Sequence, residues 1–199
     1  ARVRDLRGRG RLMEIVIDRW RLRNWSLSDV PALARYANNR NIWINVRDVF
    51  PHPYTEEDAK SWISRNLEQS PLTQFANASA NEAIGGIGLA LRSDVERRSA
   101  EIGYWLGEPF WGRGIATSAV RAVAEYGFAT LDLVRIYGIV FEWNSASMRV
   151  LEKCGFTFEG RLRKSVTKDG KTIDTLMYAL VKEDTENAPE FIVSELVKL

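Results

Sequence analysis

A chain of 199 residues, 45% hydrophobic and 27% charged, has the composition of an ordinary soluble globule and the length for one well-cored domain. No apolar run approaches the roughly 20 residues that span a bilayer, and the arginine-rich start lacks the apolar segment of a secretory signal. The single cysteine, Cys154, excludes an internal disulfide and points to a reducing, cytoplasmic setting. The net charge of +2 conceals an asymmetry. Residues 1–12 hold five arginines and one aspartate, so they carry +4 and the remainder −2. The body of the chain therefore lacks the basic excess of a nucleic-acid binder, and no aromatic platform accompanies the basic arm.

Residues 1–12 are expected to be an artificial leader or a disordered arm, followed by one domain over 13–182 and a tail over 183–199. Hydrophobic periodicity gives the elements of that domain. Ile15 to Trp25 alternates as a first strand. Ser28 or Asp29 can cap a helix carrying Val30, Leu33, Ala34 and Ala37, with Pro31 tolerated in its first turn. A long irregular stretch then runs to Thr55, where "TEED" opens a capped, acid-rich helix with Ala59, Trp62, Ile63 and Leu67 on one face. Three strands joined by polar turns follow, Leu72–Ala76, Ala83–Leu91 and Ala100–Leu106, and these read as antiparallel.

A helix over about Ala116–Leu131 leads to an apolar strand, Arg135–Phe141, parallel to Ala100–Leu106 because a helix is the usual crossover. "NSASMRVLEKCGF" reads as a short helix stopped by Gly155, with Phe156 reaching back to Leu151. The last hairpin pairs Phe156–Val166 with Thr172–Val181 across the Asp-Gly turn of "KDGK". In the tail, Phe191, Ile192, Val193 and Leu196 are enough to dock as a helix. The fold class is α/β with a mostly antiparallel sheet of about seven strands and one parallel crossover.

The segment "FWGRGIATSAV", Phe110 to Val120, sets two glycines around an arginine between a strand and a helix. A tight turn alone would explain Gly-x-Gly. A dinucleotide fingerprint would need a third glycine where Thr117 stands, although Glu142 could serve as its ribose-binding acid. The third reading is an anion site, with N–H groups of Gly112 to Thr117 facing phosphate oxygens at the helix start. Gly114 and Ala116 allow close approach, Thr117 adds a hydroxyl and Arg113 adds charge.

"EIGYWLGEPFWGRGIATSAVRAVAEYGF", then "RIYGIVFEWNSASMRVLEKCGFTFEGRLRKSVTKDGKTIDTLMYAL", resembles the GNAT N-acetyltransferase superfamily, and within it the RimJ/RimL-like branch of ribosomal-protein acetyltransferases. The resemblance extends upstream through "GGIGLALRSDVERRSAEIGYWL" and "NVRDVFPHPYTEEDAKSWI", covering most of Trp20 to Lys182. It implies the GNAT fold, helices on both faces of the sheet, a splayed parallel strand pair and acetyl-CoA as co-substrate with no metal. The family's phosphate signature, Gln/Arg-x-x-Gly-x-Gly/Ala, here reads Trp111-x-x-Gly114-x-Ala116 with Ile115 inside it. Tryptophan at the first place removes a side-chain donor and leaves the backbone donors in position.

The same resemblance puts the pantetheine arm between Glu101–Leu106 and Arg135–Phe141, along Tyr104, Trp105 and Leu106. A backbone N–H near Trp105 or Leu106 would then face the thioester carbonyl. Asn144 matches a pantetheine-contacting asparagine, and Ser147 matches a serine that some members use to protonate the departing thiolate. Arg149 and Lys153 are either a solvated helix face or reach the coenzyme phosphates. Among Glu101, Glu142 and Glu159 as general base, Glu101 is favoured; a glutamate that one relative places after "EG" falls here on Val166. Lone His52 rules out a two-histidine metal site and, set between two prolines, argues against a serine triad, and Cys154 lacks an activating neighbour.

The acceptor is expected over "NIWINVRDVFPHPYT", with Trp43, Asn45, Arg47, Phe50 and Tyr54 lining it beside Trp105. It is an amine on a small molecule or a protein N-terminus, attacking the thioester directly, with no membrane or nucleic-acid partner. The alternatives are an acetylase of amino acids, polyamines or an aminoglycoside, and a non-catalytic acyl-CoA sensor. Oligomeric state is left open, a homodimer included.

Overall fold

In the computed structural model, which describes residues 2–6, 12–67 and 69–186, the first alternating stretch is a hairpin rather than one strand. Strand β2 (Leu12–Ile17) turns at Asp18-Arg19 into β3 (Trp20–Arg23), with Asp18 at φ 56°, a left-handed conformation that aspartate tolerates. A single strand burying Ile15 and Ile17 would next bury Arg19 and Arg21. The apolar set instead skips to Trp20 and Leu22, and Ile15 lies opposite Leu22 across the turn. Arg2–Leu6 of the supposed leader forms β1 and pairs with β2, so the expectation of a disordered arm is corrected there. Residues 7–11, and the tail residues Phe191, Ile192, Val193 and Leu196, lie outside the described residues.

The sheet continues through β4 (Gln74–Ala78), β5 (Ala83–Leu91), β6 (Ser99–Leu106), β7 (Arg135–Phe141), β8 (Thr157–Lys168) and β9 (Lys171–Val181). Among the described residues it has nine strands rather than seven, in the order β1-β2-β3-β4-β5-β6-β7-β9-β8. Every pairing is antiparallel except β6 with β7.

Helix α1 (Val30–Ala37) is entered through a short 3-10 turn that Ser26 caps, not Ser28. The Asp29 carboxylate is used otherwise: it is buried, accepts the Ser26 N–H at 3.0 Å and takes two Arg23 N–H bonds at 2.7 Å. One turn of helix, α2 (Arg40–Trp43), interrupts the stretch expected to be irregular. Helix α3 (Glu56–Asn66) begins with a full capping box between Thr55 and Asp58. Helix α4 (Ile115–Thr130) makes the parallel crossover, and α5 (Ser145–Lys153) ends at Gly155 as expected. There Phe156 N–H bonds Leu151 C=O and Gly155 N–H bonds Glu152 C=O, the paired bonds of a Schellman stop, with Gly155 at φ 85°. Helix α6 (Lys182–Glu186) follows β9.

One sheet face carries α4 and α5 over a core built on Phe75, Leu89, Val123, Ile136 and Leu151. The other carries α1 and α3 over Trp25, Leu33, Ile63 and Ala76. The layers are held apart by chemistry of opposite parity on the same strands: Phe75 belongs to the first core and Ala76 to the second. Thr55→Ala removes the side-chain half of the α3 cap. Stability is expected to fall by about 1 kcal/mol in urea unfolding with an unchanged slope.

Candidate active site

β6 and β7 pair only at Ser99–Arg135, Ala100–Ile136 and Glu101–Tyr137. Beyond that point each strand stays bonded to its outer neighbour, β6 to β5 and β7 to β9, while the inner edges separate. Gly107 N–H donates to Ile84 C=O at 2.8 Å, which fixes the alternation along β6. Trp105 N–H therefore faces β5, and the N–H groups of Tyr104 and Leu106 face the gap. The expectation of a donor near Trp105 or Leu106 thus narrows to Leu106, with Tyr104 one step deeper.

The gap opens into a cavity of about 920 Å³. One end lies under the β6–α4 loop, where Gly112 and Gly114 have φ values of 74° and 77°. A side chain at either would meet no atom within 4 Å, so these glycines serve the turn and leave open space in front of it. The N–H groups of Ile115, Ala116 and Thr117 open α4 and have no carbonyl one turn earlier to bond. Trp111 does not point its ring N–H at this space; it donates to Leu106 C=O at 2.6 Å and ties the loop to β6. Arg113 is also occupied locally, bonding Pro109 C=O at 2.8 Å and lying over the Phe110 ring. Arg149 and Lys153 line the cavity from α5.

In the middle of the cavity the hydroxyls of Tyr104 and Ser147 share a hydrogen bond of 2.8 Å. Burial pushes the Tyr104 phenol far above its usual range, so it stays protonated near neutrality. Asn144 caps α5 by accepting the Ser147 N–H at 3.1 Å, which fixes the serine at the helix start. Cys154 sits behind this wall with its thiol on Thr117 C=O at 3.3 Å, and burial pushes it up to about 11.

Glu101 stands at the last paired position of the splay. Its carboxylate is held on one oxygen by Arg47 and on the other by Arg92 at 2.9 Å, and Arg92 also donates to the Tyr137 hydroxyl at 2.6 Å. Both oxygens of Glu101 are thus on guanidinium groups. The other two carboxylates weighed as bases are outside the cavity lining and are similarly bound. Glu142 is on Arg161 and the Asp174 N–H, and Glu159 is gripped by Arg135, which holds its carboxyl below the usual range.

Of the five residues expected around the acceptor, Asn45 and Arg47 line the cavity. Phe50 and Tyr54 do not; they pack into the α1–α3 core, where burial pushes the Tyr54 phenol up to about 12. Trp43 is behind the lining too, stacked on His52 at 5.6 Å with the Lys168 ammonium 3.8 Å from its ring centre. Val166, Thr167 and Lys168, at the tip of the β8–β9 hairpin, supply a wall that the sequence did not reveal. A lysine before an Asp-Gly turn reads as solvent-facing, and only the docking of the hairpin onto α2 buries it. Among the described residues no cluster of His, Cys, Asp or Glu could hold a metal ion.

A cleft between splayed parallel strands, closed by a glycine turn with free N–H groups, is the architecture of an acyl-coenzyme A site. Residues 19–157 match the acetyltransferase (GNAT) domain family, and the chain belongs to it. It is 31% identical over 175 residues to the uncharacterized N-acetyltransferase p20 of Bacillus licheniformis, covering 84% of this chain and 95% of that one. To spermidine N(1)-acetyltransferase of Escherichia coli K12 it is 27% identical over 143 residues, 71% of this chain and 75% of the relative. Among solved structures, the ribosomal L7/L12 α-N-protein acetyltransferase RimL in complex with coenzyme A superposes with a TM-score of 0.75 at 25% identity, covering 84% and 97%. The chain is thus an N-acetyltransferase that uses acetyl-CoA, and the residues present fit it: free helix-start N–H groups, two lining cations and an unpaired strand edge. Gly114→Glu, which fills the open space with a carboxylate at a left-handed position, is expected to abolish acetyl-CoA binding in calorimetry while the circular dichroism of the fold remains.

Proposed function

We propose that the acceptor is an α-amino group, on a peptide or protein N-terminus, rather than a polyamine. The observation that carries this reading is the state of the cavity's carboxylates. Its lining holds only two, Asp48 and Glu101, and both are ion-paired, with Lys168 and with Arg47 and Arg92. Five cations line the same cavity: Arg47, Arg113, Arg149, Lys153 and Lys168. A polycation entering there would find no free counter-charge and would meet like charge instead. Asn41 and Asn45 line the acceptor end; their NH2 groups are held by Glu108 and by Asn41 C=O, and the amide oxygens can accept from the N–H groups of a peptide.

The chemistry agrees with the absence of a free base in this lining. An α-amine has a pKa of about 7.7–8.0 against about 10.4 for an alkyl amine, so a useful fraction is neutral without help and its proton can leave to water. Bound acetyl-CoA supplies the acetyl thioester. The Leu106 N–H lies on the gap side of β6 and is suited to donate to the carbonyl oxygen as negative charge grows there. The Ser147 hydroxyl, backed by the protonated Tyr104, is suited to give a proton to the departing sulfur. In this reading Glu101 anchors the acceptor loop and the splay instead of moving a proton. The single cysteine favours a cytoplasmic setting for the reaction.

The test is thiol release from acetyl-CoA with an alanyl tetrapeptide bearing a free α-amine, the same peptide N-blocked with one lysine, and spermidine. The free α-amine is expected to be acetylated at least about tenfold faster at pH 7.5, with the rate rising through about pH 8 as that amine deprotonates. Preference for spermidine would overturn the reading, and tight acetyl-CoA binding with no turnover on any amine would favour the sensor. Ser147→Ala is expected to lower kcat by about 100-fold with acetyl-CoA affinity unchanged, and Tyr104→Phe to lower it less.

A further inference from the structure

Two neighbouring residues of the segment between α2 and α3 are tied in opposite directions. Arg47 reaches to Glu101, at the splay point of β6. Asp48 reaches to the β8–β9 hairpin tip, where its Oδ1 accepts from Lys168 Nζ at 2.6 Å. The second tie is unusual in its burial. Lys168 is 1% exposed, among the largest fully buried side chains of the described residues, whereas the Asp48 side chain is 71% exposed. A lysine ammonium is costly to withdraw from water unless paired. Here it has the carboxylate of Asp48 on one side and the face of Trp43 on the other, 3.8 Å from the ring centre.

The hairpin does not need that arrangement for its own sake. Its turn is already closed by Asp169 and Gly170 at φ 50° and 72°, with Lys168 opposite Lys171. A further tie, Arg40 to Asp169 at 2.7 Å, joins the same tip to α2. Both contacts of the buried ammonium are to the segment that carries Asn45 and Arg47 into the cavity.

We infer that Lys168 is a positioning residue for the acceptor: through Asp48 and Trp43 it holds residues 44–50 as a strap across the cavity, and so fixes Asn45 and Arg47 where the acceptor enters. The inference rests on the reading that the acceptor occupies this end of the cavity. It assigns the hairpin tip a role in acceptor affinity and none in coenzyme binding, because the partners of the Lys168 ammonium, Asp48 and Trp43, belong to the acceptor segment and the end of α2 and neither to the glycine turn nor to α5.

The experiment uses Lys168→Met, Asp48→Asn and the double variant, with the alanyl tetrapeptide as acceptor probe. Each single variant is expected to raise the peptide KM by about tenfold, with kcat within about threefold and the acetyl-CoA dissociation constant within about twofold of the parent. Amide hydrogen exchange over residues 44–50 is expected to quicken in both, and the double variant to be no worse than either single one. A general loss of fold would instead lower acetyl-CoA affinity together with the peptide kinetics. An unchanged peptide KM with unchanged exchange at 44–50 overturns the inference, as does an equal loss of acetyl-CoA affinity. If Lys168→Met fails to fold, Asp48→Asn changes only the exposed partner and still decides it. If the parent protein does not turn over the peptide, the acceptor reading fails, while the exchange measurement alone still supports or overturns the strap.

Discussion

Two parallel strands that part after three residue pairs leave backbone donors and acceptors in the middle of a sheet without partners, and most of the site can be traced to that gap. Buried N–H and C=O groups are costly when unsatisfied, so a stable sheet does not open unless something else occupies the opening. Here the strands on either side stay fully bonded to their outer neighbours, which makes the opening a fixed slot rather than a frayed edge. An extended ligand with amides of its own, such as the pantetheine arm of coenzyme A, has groups of the kind such an edge lacks. The core under α4 and α5 fixes both strands beside the slot: Ala100 and Ile102 of β6 and Ile136 and Val140 of β7 are buried in it.

Glu101 is the electrostatic counterpart of the splay. It sits on the last paired residue of β6, and its two oxygens draw together an arginine from the acceptor segment and an arginine at the far end of β5. Arg92 passes the connection to Tyr137, the residue opposite Glu101 on β7, so both strands are gripped where they begin to diverge. In that position the carboxylate anchors both arginines at the splay point. That leaves the cavity lining without a free carboxylate, which in turn favours an acceptor amine that deprotonates readily in water.

Much of this was legible in the sequence because it depends on local signals. The Asp-Gly turn, the Thr55 capping box, the Gly155 stop and the strand–helix–strand crossover each need only a few adjacent residues of the right kind, and each is found where those residues stand. The glycines of "WGRGIA" were likewise readable as a turn open to a ligand. What escaped was of two sorts. The β2–β3 hairpin was written in the sequence as a phase slip, from Ile17 to Trp20, and strict alternation hid it. The other misses depend on distant chain segments meeting. Phe50 and Tyr54 look like pocket aromatics until α1 and α3 close over them, and Lys168 looks solvated until the hairpin tip lands on Trp43 and Asp48. No pattern within either segment specifies those encounters.

Trp111 shows which part of the family's phosphate signature the physics requires. At the first place of the signature that the sequence resembles, where glutamine or arginine is expected, this chain has an indole, and the structure turns it inward to bond Leu106 C=O. The turn survives because its shape comes from elsewhere: from Gly112 and Gly114 in left-handed conformations, and from α4, whose first N–H groups are unbonded by the geometry of any helix. The side chain at the first position can then be spent on bracing the loop against β6, the strand whose inner edge lines the slot. Bracing of that kind joins the glycine turn to the strand edge that lines the slot, since the carbonyl that Trp111 holds belongs to Leu106, whose N–H lies on the gap side of β6. The tryptophan therefore gives up a side-chain donor at the turn and ties the loop to β6 instead.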